Sequence, residues 1–180
     1  MLIAIIVIAA VAVGWGISQY NKLVSMRALV EEAYSTMDVY LKKRSDLIPN
    51  LVEIVKGYMT HEQETLEKVI ELRNSAVSAD RRNAPEAEAA LGEGISRIFA
   101  LAENYPELKA DTQFTALQEN LKGIEDEISQ SRKYYNGAVR NFNTAITRFP
   151  ASMIASRKSF YEYAYYQADE AARENVKVAF

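Results

Sequence analysis

Phe114–Phe149 reads FTALQENLKGIEDEISQSRKYYNGAVRNFNTAITRF, and the spacing of its apolar residues decides the fold. Phe114, Leu117, Leu121, Ile124, Ile128, Ser131, Tyr135, Ala138, Phe142, Ala145 and Phe149 alternate steps of three and four over five heptads. That is the period of one face of an α-helix, sustained far enough to read as a coiled-coil-like seam. Extended back to Glu107 the helix would reach ~64 Å at 1.5 Å per residue. A helix of that length is stabilised by packing against other helices, against copies of itself, or both. Pro150 ends it.

Working back along the chain, Asn104 and Pro106 separate this helix from a shorter one over Glu86–Glu103, which carries Ala87, Leu91, Ile95, Ile98 and Leu101 and is opened by Pro85. A polar connection, Ser78–Pro85, precedes it. Before that, Leu47–Ala79 keeps Ile48, Leu51, Val55, Tyr58, Leu66, Val69, Leu72 and Ala76 in helical register, although Gly57 and His61–Glu64 interrupt the apolar face. From Leu23 a further seam runs through Met26, Val30, Ala33, Met37 and Tyr40. Its helix is expected to end near Arg44, with Ser45 or Asp46 capping the next one and Pro49 in that helix's first turn, where a missing N–H costs nothing.

The N-terminal stretch MLIAIIVIAAVAVGWGI carries no charge, so every Asp, Glu, Lys and Arg of this 180-residue chain lies in Ser18–Phe180. A secretory signal would place basic residues ahead of its apolar run; here the run starts at Leu2. A buried core helix is the poorer reading, because a segment apolar on every face belongs in the core of a large protein or in a membrane. The remaining reading is a membrane anchor over residues 1–20, with Leu2, Ile6, Val11 and Ile17 in lipid and Trp15 and Tyr20 in the aromatic belt. Lys22 can snorkel, which brings the span to workable length. Basic residues come after the span and none precedes it, so the positive-inside rule predicts the N-terminus outside and the body in the cytoplasm.

The expected architecture is therefore all-α: a transmembrane helix over residues 1–20 continuing into an elongated antiparallel four-helix bundle over 21–150, then a short aromatic and basic tail over 151–180. In the tail, Arg157, Lys158, Phe160, Tyr161, Tyr163 and Tyr166 suit either a membrane interface or a neighbouring subunit. Val176, Val178 and Phe180 alternate as in a weak strand.

Composition removes most chemistry. The chain has no Cys and one His, and its formal net charge is −3, with 21 basic against 24 acidic residues. Disulfides, thiolate metal sites and cysteine nucleophiles are excluded, and a nucleic-acid partner is not expected. His61–Glu62 starts an H-E-x-x-H, but Thr65 occupies the position of the second His, so a zinc site cannot be assembled from it. Gly92 and Gly94 lack the Lys of a phosphate loop. Adjacent acids such as Glu125–Glu127 read as solvated helix faces. Neither an enzyme nor a cofactor is expected.

Two clusters stand out from ordinary surface. Asp38, Lys42, Lys43, Arg44, Asp46, Pro49 and Asn50 mix charges around a helix junction, with Asp38 and Lys42 at i, i+4. They suit either a salt-bridged turn or an interaction site. In Tyr134–Asn143, Tyr135, Asn136, Phe142 and Asn143 place amides and aromatics on or beside the heptad face, a device that fixes register or partner choice.

Leu41–Glu62, LKKRSDLIPNLVEIVKGYMTHE, resembles the signature of the LemA family of bacterial membrane proteins. The resemblance extends through YPELKADTQF (Tyr105–Phe114), YNGAVRNFNTAITRFP (Tyr135–Pro150) and VKVAF (Val176–Phe180), and so covers essentially the whole chain. It implies an N-terminal transmembrane helix, a long antiparallel four-helix bundle, and a place in the cell envelope, in some members beside membrane metallopeptidases. A relative in magnetotactic bacteria is implicated in forming internal membranes. The resemblance implies no catalytic residues. This chain departs from the family in its tail: Ser159 precedes Phe160 where Gly is usual, and Asn175 stands where Pro often precedes Lys-Val.

The resulting expectation is an anchored scaffold in the inner membrane that self-associates through its long helices and organises or shapes the bilayer. The alternative is an adaptor that presents Asp38–Asn50, or the acidic middle of the chain, to a membrane protease or other envelope protein.

Overall fold

The computed structural model describes residues 1–167, so the alternation at Val176, Val178 and Phe180 lies outside the described residues. Among the described residues every regular element is an α-helix: α1 (Leu2–Lys56), α2 (Gln63–Ser78), α3 (Ala84–Ala102), α4 (Pro106–Ala110), α5 (Thr112–Thr147) and α6 (Ala151–Arg157). They fall into two compact units. One combines Met1–Met37 with Ser131–Tyr165, and the other is built on Asp38–Gln130.

The expected junction near Arg44 is corrected by the structure: α1 continues to Lys56 with Pro49 inside it. A proline in a helix interior removes one N–H and leaves the carbonyl four residues back without its ladder partner. That carbonyl belongs to Ser45, and Arg73 Nε donates to it at 3.3 Å. A side chain from α2 thus replaces the bond that proline cannot make. The helix stops instead where its apolar face is interrupted, at Gly57, and α2 begins only at Gln63. The helix expected over Glu107–Phe149 is also divided. Asp111 leaves helical geometry and caps α5, accepting from the backbone N–H of Gln113 at 2.7 Å and of Phe114 at 3.1 Å.

In the Asp38–Gln130 unit, Ile48, Leu51 and Val55 of α1 meet Val69 of α2, Leu91 and Ile98 of α3, and Phe114 and Leu121 of α5 in one buried core. Helices α2 and α3 approach closely at Gly94, where a Cβ would lie 3.1 Å from both Leu72 and Val69 side-chain carbons. In the other unit, Leu23, Val30, Ala33 and Met37 of α1 and Tyr135, Ala138, Val139 and Phe142 of α5 are buried. Ring contacts of Tyr34 with Tyr135, and of Phe160 with both Tyr20 and Phe142, show α1 and α5 running antiparallel there. The heptad face of α5 is buried at most of its positions, but Phe149, beyond the end of the helix, is 80 % exposed.

Candidate functional site

The N-terminal part of α1 is the least ordinary surface of the molecule. Every residue from Met1 to Trp15 is exposed, and Leu2, Ile6, Val11, Trp15, Ile17 and Tyr20 are all among the exposed large hydrophobic residues. Exposed apolar area on this scale needs a partner, because leaving it in water costs about 25 cal/mol per Å². By length and composition this helix can cross a membrane, and none of its apolar stretch is buried. The physical cause is simple: no charge interrupts the stretch, and among the described residues no helix packs on it.

Where that stretch ends, the aromatic cluster begins. Tyr20 lies edge-on to Phe160 at 6.0 Å between ring centroids, Arg27 sits 5.5 Å over the same ring, and Phe142 contacts both Phe160 and Tyr163. Asn143 holds the extended segment after α6 by its amide. Its Nδ2 donates to the carbonyl of Tyr163 at 2.9 Å, and its Oδ1 accepts from the Tyr163 N–H at 3.0 Å. Tyr135 donates from its hydroxyl to the carbonyl of Ala164 at 3.0 Å, and the Tyr163 hydroxyl donates to Glu31 at 2.6 Å. Tyr135, Phe142 and Asn143 are thus brought together as a clamp on the tail, whereas Asn136 is half-buried one position away. The tail residues themselves divide: Phe160 and Tyr166 are buried and Tyr163 half-buried, while Arg157, Lys158 and Tyr161 are exposed.

The Asp38–Asn50 cluster is split in the same way. Asp38, Lys42, Lys43, Asp46, Pro49 and Asn50 are exposed. Asp38 and Lys42 do not form the expected i, i+4 pair; Lys43 instead sits 5.2 Å over the Tyr40 ring, and Asp46 reaches Arg73 at 4.0 Å. Arg44 alone turns inward, 2 % exposed, because it occupies a core position of the α1 seam. Its guanidinium pairs with the buried Glu88 carboxylate of α3, donates to the Glu88 carbonyl at 2.9 Å, and reaches Glu125 of α5 at 2.5 Å. A buried charge survives only when paired and hydrogen-bonded in this manner.

Two tyrosines tie the loops at the α1–α2 and α3–α5 connections. Tyr58 donates to Asp111 at 2.8 Å, and Tyr105 donates to Glu62 at 2.5 Å. The hydrogen bond from Tyr58, together with the backbone N–H groups that Asp111 caps, holds the Asp111 carboxyl below its usual range; the same bond raises the Tyr58 hydroxyl. Glu62 likewise raises Tyr105, chiefly through their hydrogen bond. Glu62, half of the only zinc-like step, is therefore engaged in holding a loop. Among the described residues no group of three or more His, Asp or Glu side chains could hold a metal ion.

Sequence reasoning missed Glu88, Arg73 and the Tyr58–Asp111 pair. Glu88 stands in PEAEAAL, which reads as a solvated acidic helix start. Its signal was an acid at a position in phase with Leu91, Ile95 and Ile98 of the same buried face.

Comparison with known proteins places this arrangement among relatives. The family model described as the LemA family matches residues 33–180. The chain is 25 % identical to protein LemA of Metamycoplasma hominis over 162 residues, covering 89 % of this chain and 74 % of that protein. It is 22 % identical to the magnetosome protein MamQ of Magnetospirillum gryphiswaldense, covering 92 % and 71 % respectively. Against the magnetosome protein MamQ 2 of Paramagnetospirillum magneticum the identity is 23 %, over 83 % of this chain and 65 % of that one.

Proposed function

The chain belongs to the LemA family, and from that premise we propose that it is a membrane-anchored helical scaffold. In this reading residues 1–20 span the inner membrane, residues 21–150 form an antiparallel four-helix bundle that self-associates through its long helices, and residues 151–180 supply an aromatic and basic tail. The body lies in the cytoplasm and the N-terminus outside, because the basic Lys22 and Arg27 directly follow the span. The observation that carries the reading is the uninterrupted passage of α1 from a wholly exposed apolar stretch into the buried seam of Leu23, Val30, Ala33 and Met37. One element thereby serves as both anchor and core.

Self-association is supported by apolar and aromatic side chains left exposed on the helices beyond the anchor: Leu29, Val39, Val77 and Tyr134. Confinement to a bilayer raises the effective concentration of such faces, so weak contacts suffice to assemble and curve a membrane. The similarity to magnetosome proteins supports the same direction. No catalytic role is proposed, since Arg44, Glu88, Asp111 and Glu62 are each engaged in structural pairs. The test is the mass of full-length, detergent-extracted protein by particle imaging and light scattering. Discrete oligomers are expected; a monomer at every concentration would end this reading.

A second reading rests on the row of exposed Lys42, Lys43, Asp46 and Asn50 on α1. There the protein is an adaptor for a membrane metallopeptidase or another envelope protein. Charge reversal at Lys42 and Lys43 should then abolish co-purification of the partner and leave the oligomer intact.

A further inference from the structure

A groove of about 620 Å³ opens where α1 leaves its apolar stretch, between Gln19–Met26 of α1 and the end of α5 with the turn into α6. We propose that this groove binds the headgroup of an anionic phospholipid, with Lys22, Arg140 and Arg148 on its phosphate and Phe149 against the start of its acyl chains. The proposal rests on the reading that α1 spans the bilayer.

Three observations carry it. The first is charge. Lys22, Arg140 and Arg148 all line the groove and are exposed; among the described residues no acidic side chain lines it and none of the three makes an ion pair. The surrounding sequence repeats the bias: Met1–Val30 and Ser131–Tyr161 contain eight basic residues and no acidic one. The second is depth. Twenty residues of helix rise ~30 Å, the thickness of the hydrocarbon layer, so Leu2–Asn21 fills it and Lys22 emerges at the level of the phosphates. The third is the rim. Phe149 lines the groove and is 80 % exposed, although it follows the seam of α5 whose other positions are largely buried. A phospholipid matches both parts of such a rim: ester and acyl carbon for Phe149, phosphate for the cations. A nucleic acid or an acidic protein would satisfy the cations and leave Phe149 in water.

Trp15, the only tryptophan of the chain, lies two helical turns before Lys22 and reports on the lipids around it. The full-length protein is reconstituted in phosphatidylcholine nanodiscs that contain a small fraction of pyrene-acyl lipid, either phosphatidylglycerol or phosphatidylcholine. Energy transfer from Trp15 to pyrene is then compared. The phosphatidylglycerol probe should be enriched about fivefold at the protein, the worth of one well-placed cation at a surface. The preference should shrink in high salt. Lys22→Gln with Arg140→Gln and Arg148→Gln should reduce it to parity, with Arg148→Gln alone intermediate. The charge-matched Lys56→Gln, Lys68→Gln and Lys122→Gln variant should keep it.

Equal transfer from both probes in the unaltered protein would overturn the lipid site while leaving the anchor in place. Retention of the preference in the triple groove variant would also overturn it. So would loss of the preference on adding millimolar glycerol phosphate, which would mark a site for small free anions. No transfer from either probe would remove the anchor reading and this one with it.

Discussion

Ser159 adopts φ 55°, the left-handed region that costs a residue with a Cβ roughly 1–2 kcal/mol. It sits just past the end of α6, and the next N–H, that of Phe160, bonds back to the carbonyl of Ala155 at 3.2 Å. This is the cap geometry that favours glycine, and it accounts for the Gly-Phe that the family tends to carry where this chain has Ser159–Phe160. Ser159→Gly should therefore raise stability by about 1 kcal/mol, read from denaturant unfolding, with the aromatic cluster unchanged. The Tyr58–Asp111 pair makes a second residue-scale case. Asp111 is held below its ordinary 3.8, so its ionised form is favoured in the folded state. Its contribution is present above 3.8 and is lost as the pH falls through the lower folded value. Tyr58→Phe should lower the melting temperature near neutral pH, and its deficit should shrink in acid.

Among the elements, α1 owes its length to a residue it does not contain. With Pro49 in place, Arg73→Ala removes the donor on the Ser45 carbonyl and should cost about 1 kcal/mol; in a Pro49→Ala background the cost should fall, because the backbone N–H resumes its own bond. A double-mutant cycle by chemical denaturation measures the difference. The α1–α3 pair offers a harsher test. Arg44→Met leaves Glu88 buried without its guanidinium and should cost roughly 3–5 kcal/mol, whereas adding Glu88→Leu should recover much of the loss. The same elements mark how far the sequence could be read. Heptad spacing located the buried faces of α1, α3 and α5, because burial is periodic. Pro49 misled, because its rescue comes from another helix and no local signal announces it. The tail clamp stayed hidden for a similar reason: Asn143 and Tyr135 bond to backbone groups, which every residue carries alike. Phe149 fitted the period yet lies outside the core, since the helix ends at Thr147 before the seam can bury it.

Taken whole, the molecule separates its charges. The unit of Met1–Met37 and Ser131–Tyr165 holds eight basic and three acidic residues, whereas Asp38–Gln130 holds eleven basic and eighteen acidic. The basic unit is the one that contains the apolar stretch, as expected of a part that meets lipid headgroups. Full-length protein in isolated membranes should accordingly resist extraction by alkaline carbonate and by high salt, and be released by detergent. Release by carbonate alone would mean that the apolar stretch does not cross the bilayer.

That same unit joins the first residues of the chain to residues synthesised more than a hundred positions later. During translation, Leu23, Val30, Ala33 and Met37 leave the ribosome long before Tyr135, Ala138 and Phe142 exist to cover them. Loop closure over such a separation is slow, and exposed apolar surface in the interval invites wrong partners. On the proposed membrane reading, insertion of the leading helix would hold one half of a core beside the bilayer until its complement arrives. A nascent chain stalled before residue 131 should be a client for chaperones, and one released after residue 165 should not.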